Sequence, residues 1–208
     1  MDLKERIITE ASKLLSRLGP STMTMDMIAR NCGISKRTLY EHFPDKRTLI
    51  EKSIHMIHQQ QAQHYKEIFE RSKDCFEALF NVYLSVRTFL QSKTIDYADE
   101  IKRLYPDLHE QTYHQEKAFI EGLSEVLSKA QDEGLVIKRI NTRIASYIFI
   151  SEMNHVNQSE IISELGFSRV EVFDAAFVNF LRGIATVKGI SMIDEFLSKQ
   201  TQNFQYNG

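Results

Sequence analysis

Between Thr24 and Lys46 the chain reads Thr-Met-Asp-Met-Ile-Ala-Arg-Asn-Cys-Gly-Ile-Ser-Lys-Arg-Thr-Leu-Tyr-Glu-His-Phe-Pro-Asp-Lys, an order that few folds accommodate. Thr24 and Ser35 are N-cap residues, each followed by a short run with inward-facing apolar positions: Ile28 and Cys32 in the first, Leu39 and Phe43 in the second. Gly33 makes the turn between the two helices, and Pro44 ends the second. Helices this short are not stable alone, so something must brace them. The brace is the first helix, opened by an Asp2/Glu5 capping box, with Ile7, Ala11, Leu14, Leu15 and Leu18 along one face until Gly19-Pro20 stops it.

The rest of the chain carries the same period. Three Pro, eight Gly and no Trp, without long alternating Val/Ile/Thr runs, point to an all-α protein. A chain of 208 residues that is 42% hydrophobic has enough apolar surface for a proper core. Asp45 caps a long fourth helix reaching about residue 71. Further helices are expected at about 74–92, 95–105, 108–132, 142–156, 168–188 and 191–200. The helix at 168–188, opened by a Ser168/Glu171 capping box, is apolar well beyond one stripe, so it is either buried in its own domain or shared with a second subunit.

Charge divides unevenly. Residues 1–50 hold nine Lys/Arg against six Asp/Glu, whereas the remainder is acidic and the whole chain carries a net charge of -2. Lys36 and Arg37 fall in the first turn of the third helix, Lys46 and Arg47 in the first turn of the fourth. A helix start already carries a partial positive charge, so cations there are unfavourable by about 0.3 to 1 kcal/mol each unless an anion joins them. A phosphate reverses the sign, because amide N–H groups, dipole and side chains then converge on it. Two such pairs beside a helix-turn-helix point to double-stranded DNA, with the third helix in the major groove. Arg37 suits a bidentate bond to a guanine edge and Thr38 a base or thymine methyl, with Lys36 beside them at the groove-facing tip. Tyr40 and His42 suit phosphates from flanking faces. Thr24 and Ser35 present helix-start hydroxyls and amides, and Lys46 suits the backbone.

Ile28-Ala29, Gly33-Ile34-Ser35, Thr38-Leu39-Tyr40, Phe43, Lys46 and Leu49 fall where the tetracycline-repressor (TetR) family keeps its pattern, so residues 4 to 50 resemble that family's DNA-binding domain. Two positions depart from the pattern: Cys32 stands where a small Ala is usual, and Arg37 where Gly is frequent. The resemblance implies a DNA-binding domain over 1–48 and a helical ligand-binding and dimerisation domain over 49–208. It also implies a homodimeric regulator, most often a repressor, bound to a palindromic operator and released by a small molecule. In such a family the last two long helices build a four-helix dimer interface, and Lys46 matches its backbone-clamping lysine.

Candidate effector contacts are Tyr83, Tyr105, His109, Tyr113, Tyr147 and His155, which place aromatic and polar groups on the helices expected around a cavity. Aromatics at helical spacing are also ordinary core. Neither His55/His58 nor His109/His114 has metal-binding spacing, so no metal or cofactor is expected. No G-x-S-x-G, G-x-x-x-x-G-K, G-x-G-x-x-G or H-E-x-x-H occurs, and an enzyme is not expected. Isolated Cys32 and Cys75, with no apolar signal core and no membrane-length segment, suit a cytoplasmic protein. Two other readings stand beside the leading one: a DNA-binding protein of the same type without an effector, and a helical-bundle binding protein whose reading head is vestigial.

Overall fold

Helix α1 (Leu3–Thr22) begins on the expected capping box: Asp2 accepts the Glu5 N–H at 2.7 Å, and Glu5 returns the bond to the Asp2 N–H at 3.1 Å. Its regular part stops at Leu18, because Gly19 sits at φ 73° and ψ 166°, and residues 20–22 add a separate turn. A computed structural model describes the backbone of residues 2–92, 97–158 and 164–205. Within these it describes all side chains but those of 92, 97–99, 109–115, 154–158 and 201–205. The chain packs as two units, Met1–Lys66 with Lys93–Tyr113, and Glu67–Ser92 with His114–Gly208.

In the amino-terminal unit α1 is followed by α2 (Met25–Asn31), α3 (Lys36–His42) and the start of α4 (Lys46–Arg71). Ile7, Leu15, Met23, Ile28, Leu39, Phe43, Leu49 and Ile50 are all but sealed from solvent and form one cluster. Burying such side chains contributes about 1.5 to 3 kcal/mol each, which supplies the brace that α2 and α3 lack alone. Ile101 of α6 (Tyr97–Leu104) and Leu108 of the following 3-10 turn (Pro106–Leu108) belong to the same cluster. The packing of the amino-terminal unit therefore runs past residue 48. Residues 49–66 and the stretch around 97–108 share the head's core, because Leu49, Ile50, Ile54, Ile101 and Leu108 have their apolar partners there.

The second unit holds α5 (Cys75–Ser92), most of α7 (His109–Asp132), α8 (Thr142–Gln158), α9 (Arg169–Ile184) and α10 (Val187–Gln205). Its core is aromatic. Phe80 stacks on Phe196 at 4.2 Å between ring centroids, Tyr83 on Phe177 at 4.7 Å, and Phe149 on Phe180 at 4.5 Å. Offset pairs of this kind add about 0.5 to 1.5 kcal/mol beyond the area they bury.

One expected helix is divided. The apolar run at 168–188 breaks at Ala185, and α10 starts at Val187 rather than at about 191. The cause is a tertiary partner: the 135–137 turn accepts and donates the backbone bonds that would have continued the helix. Ile137 N–H donates to Ile184 at 2.9 Å, Thr186 N–H donates to Leu135 at 2.9 Å, and Val136 bridges Ala185. Gly189 then lies against this turn so closely that a Cβ would stand 2.4 Å from the Leu135 carbonyl oxygen.

Candidate nucleic-acid interface

Each end of the short helices is satisfied locally. Thr24 accepts the Met27 N–H at 3.2 Å and Ser35 accepts the Thr38 N–H at 3.0 Å, so both hydroxyls cap their helices. Gly33 turns at φ 61°, and Gly33 and Ile34 return their N–H groups to Arg30 and Ala29 at 3.0 Å each, closing α2. Arg6 of α1 donates to the Cys32 carbonyl at 2.8 Å and ties the brace to the turn. Lys4 lies 6.0 Å from the Phe43 ring centre, over the far end of α3.

The cations stand at the outer tips. The Lys36, Arg37 and Arg47 side chains are all exposed, Arg37 at 90%. Tyr40 and His42 are exposed on α3, Thr38 is half-buried, and the Ser35 and Thr38 hydroxyls lie 2.9 Å apart. Lys46 is half-buried, and loss of solvent lowers its pKa while the Glu100 carboxylate pulls the other way. Asp45 accepts the Thr48 N–H at 2.7 Å as the α4 cap, which holds its carboxyl below the ordinary range.

Every exposed cation of this set has an acidic companion that the linear reading overlooked. Lys36 pairs with Asp26 of α2 at 2.6 Å, Arg37 with Glu41 at 3.2 Å, and Arg47 with Asp107. The Arg37/Glu41 pair was legible, since residues four apart share a helix face. Lys36/Asp26 and Arg47/Asp107 join different elements and had no signal in the sequence. Glu100 of α6 was also missed. It accepts the Ser21 N–H at 3.0 Å.

Of the six expected effector residues, Tyr83, Tyr105 and Tyr147 have described side chains. Tyr83 is sealed in the aromatic core of the second unit and its hydroxyl donates to Asp174 at 2.7 Å. Tyr105 is half-buried against the core of the amino-terminal unit. Tyr147 is 58% exposed on α8, where an inward position was expected, because the face of α8 that turns into the core carries Ala145, Ser146, Phe149, Ile150 and Met153. The side chains of His109, Tyr113 and His155 lie outside those described. A cavity of about 270 Å³ in the second unit is lined by Lys73, Asp74, Glu133, Leu135, Lys188 and Met192, none of them among these six.

Two capped helices at a glycine turn, braced by a third and tipped with exposed cations, define a helix-turn-helix DNA-binding protein. Residues 7–52 match the model of the bacterial regulatory proteins of the tetR family. The chain is 24% identical over 186 residues to the uncharacterized HTH-type transcriptional regulator YvaF of Bacillus subtilis, covering 88% of this chain and 95% of that one. It is 38% identical over 52 residues to IcaR, the negative transcriptional regulator of the Staphylococcus aureus biofilm operon, covering 25% and 28% of the two chains. Its fold is similar to that of a TetR-family regulator from Agrobacterium tumefaciens, with a TM-score of 0.69 at 19% identity over 88% of this chain and 98% of the other. Residues 7–52 thus carry the helix-turn-helix domain of the tetR family, and the chain as a whole is similar to HTH-type transcriptional regulators. No helix among the described residues is long and apolar enough to cross a membrane.

Proposed function

We propose that this regulator is a cytoplasmic homodimeric repressor that binds a palindromic operator and is released by a small-molecule effector. The reading is carried by the exposed cations at the tips of α3 and α4, within the segment matched to the family. In it, residues 1–48 read DNA and residues 49–208 dimerise and respond. Arg37 and Thr38 meet base edges, with Lys36 beside them, and Thr24, Ser35, Tyr40, His42 and Lys46 hold the phosphate backbone. Likeness to the negative regulator IcaR supports repression. No catalytic role is proposed.

The resemblance places the second copy on the last two long helices, α9 and α10, and exposed apolar side chains extend that candidate surface to α8 and the residues just before α9. Ile144, Tyr147 and Ile148 on α8, and Leu165 and Phe167 before α9, are each more than half exposed, apolar side chains that a monomer would leave in water. Two-fold symmetry then matches the two halves of a palindrome. For the effector, His109, Tyr113, His155 and Tyr105 stay as candidates by position. Tyr83 is already engaged by Asp174, and Tyr147 faces outward with the apolar group. The effector acts by differential affinity for the two arrangements of the dimer.

A second reading is the same DNA-binding dimer without an effector. The deciding experiment is selection of bound duplexes from a random pool. An enriched palindrome is expected, and recovery of no common sequence would overturn operator recognition. Differential scanning fluorimetry against a metabolite library separates the two readings, since an effector that binds the folded state raises Tm with concentration.

A further inference from the structure

Among the ion pairs at the reading head, Arg47/Asp107 differs from the rest. Lys36/Asp26 and Arg37/Glu41 lie within the two short helices themselves, whereas Asp107 comes from the 3-10 turn after α6, 60 residues along the chain from Arg47. Both partners are exposed, yet each is anchored by its neighbours in the chain: Leu49 and Ile50 after Arg47, and Leu108 after Asp107, all in one buried cluster. The two backbones are therefore fixed, and the guanidinium meets a carboxylate without either chain segment having to be ordered for the purpose. Glu100 of α6 reinforces this arrangement. Its carboxylate takes the Ser21 N–H at 3.0 Å and lies within electrostatic reach of Lys46. The segment 97–108 thus presents two carboxylates to the first turn of α4, where the proposed function places a DNA phosphate.

A carboxylate and a phosphate compete for the same guanidinium, since both accept its paired N–H donors in the same planar geometry. We propose that Asp107 is an intramolecular stand-in for phosphate, and that Arg47 is a further DNA-backbone contact which the segment 97–108 holds in check. The inference rests on the reading of the α4 tip as a phosphate site. Because a phosphate carries no base identity, the competition lowers affinity for every duplex by the same factor. It sets the strength of the grip and leaves sequence preference to α3.

The test is a double-mutant cycle on the full-length protein with a short duplex of arbitrary sequence, titrated between about 50 and 200 mM salt. Asp107→Asn keeps the shape and removes the charge, so binding tightens, by about two- to fivefold, the range for releasing an exposed ion pair. In an Arg47→Ala background the same substitution gives a markedly smaller gain, because the group it releases is gone. Equal gains in both backgrounds mean that Asp107 merely repels DNA at a distance, and overturn the proposal. An unchanged affinity in Asp107→Asn, with or without a fall in Tm, makes the pair a structural staple and also overturns it. Wild-type protein that ignores the duplex even at the lowest salt overturns the DNA-binding reading itself, an outcome distinct from either of these.

Discussion

The Tyr83 hydroxyl donates to Asp174 at 2.7 Å while the Arg87 guanidinium approaches the same carboxylate at 3.1 Å, so α5 and α9 are joined through one anion beneath an aromatic stack. Burial, followed by the bond to Asp174, raises the pKa of the Tyr83 phenol and keeps it neutral. Tyr83→Phe is expected to lower stability by about 1 kcal/mol, the net worth of one such bond. Asp174→Ala is expected to cost more, because it leaves both donors of a largely shielded site without their acceptor. Urea unfolding followed by circular dichroism checks both, and equal losses would show that the carboxylate is not the shared element.

Arg37→Ala and Lys46→Ala should separate base reading from backbone binding. Arg37→Ala is expected to cost about 1 to 3 kcal/mol on the selected operator and to relax preference at one base pair. Lys46→Ala is expected to weaken all duplexes and reduce the salt slope by roughly one unit. An unaltered slope in Lys46→Ala removes that residue from the phosphate contacts.

Tyr147→Asp with Ile148→Asp places charge in the apolar group on α8. Sedimentation velocity is expected to move from dimer to monomer with the helical content retained. A dimer that persists would assign the interface to another face.

Gly189→Ala drives a methyl group toward the Leu135 carbonyl oxygen, where only 2.4 Å separates the atoms. Backbone on both sides must shift, at about 1 to 3 kcal/mol. Thermal unfolding reads the loss, and a Tm equal to wild type would mean that the 135–137 turn yields without cost.

His58 makes acid stability measurable. Burial, with some help from His55, pushes its imidazole down to about 4 from the ordinary 6.5. Between those values the unfolded chain binds a proton that the folded chain refuses, so stability falls as pH drops from about 6.5 toward 4. Since His58 is only partly shielded, about 1 kcal/mol between pH 7 and 5 is expected to disappear in His58→Gln. Urea midpoints at the two pH values decide it.

The reading head was legible because its signals are local. Caps at Asp2, Thr24, Ser35 and Asp45, the Gly33 turn and the Leu39/Phe43 face each depend on neighbours within four residues, and all recur in the structure. The 168–188 run misled for the opposite reason: nothing local ends it, and Ala185 is claimed by a turn some fifty residues away.

What the amino-acid order determined by itself is the set of helices around residues 24–46 and the cations at their tips, since capping, periodicity and dipole are short-range effects. Only the tertiary structure decided which acids face those cations, that Ile101 and Leu108 complete the core of the head, and that Tyr83 is spent on Asp174. Burial and charge pairing act through space between elements, and a linear sequence holds no distance between residues 47 and 107.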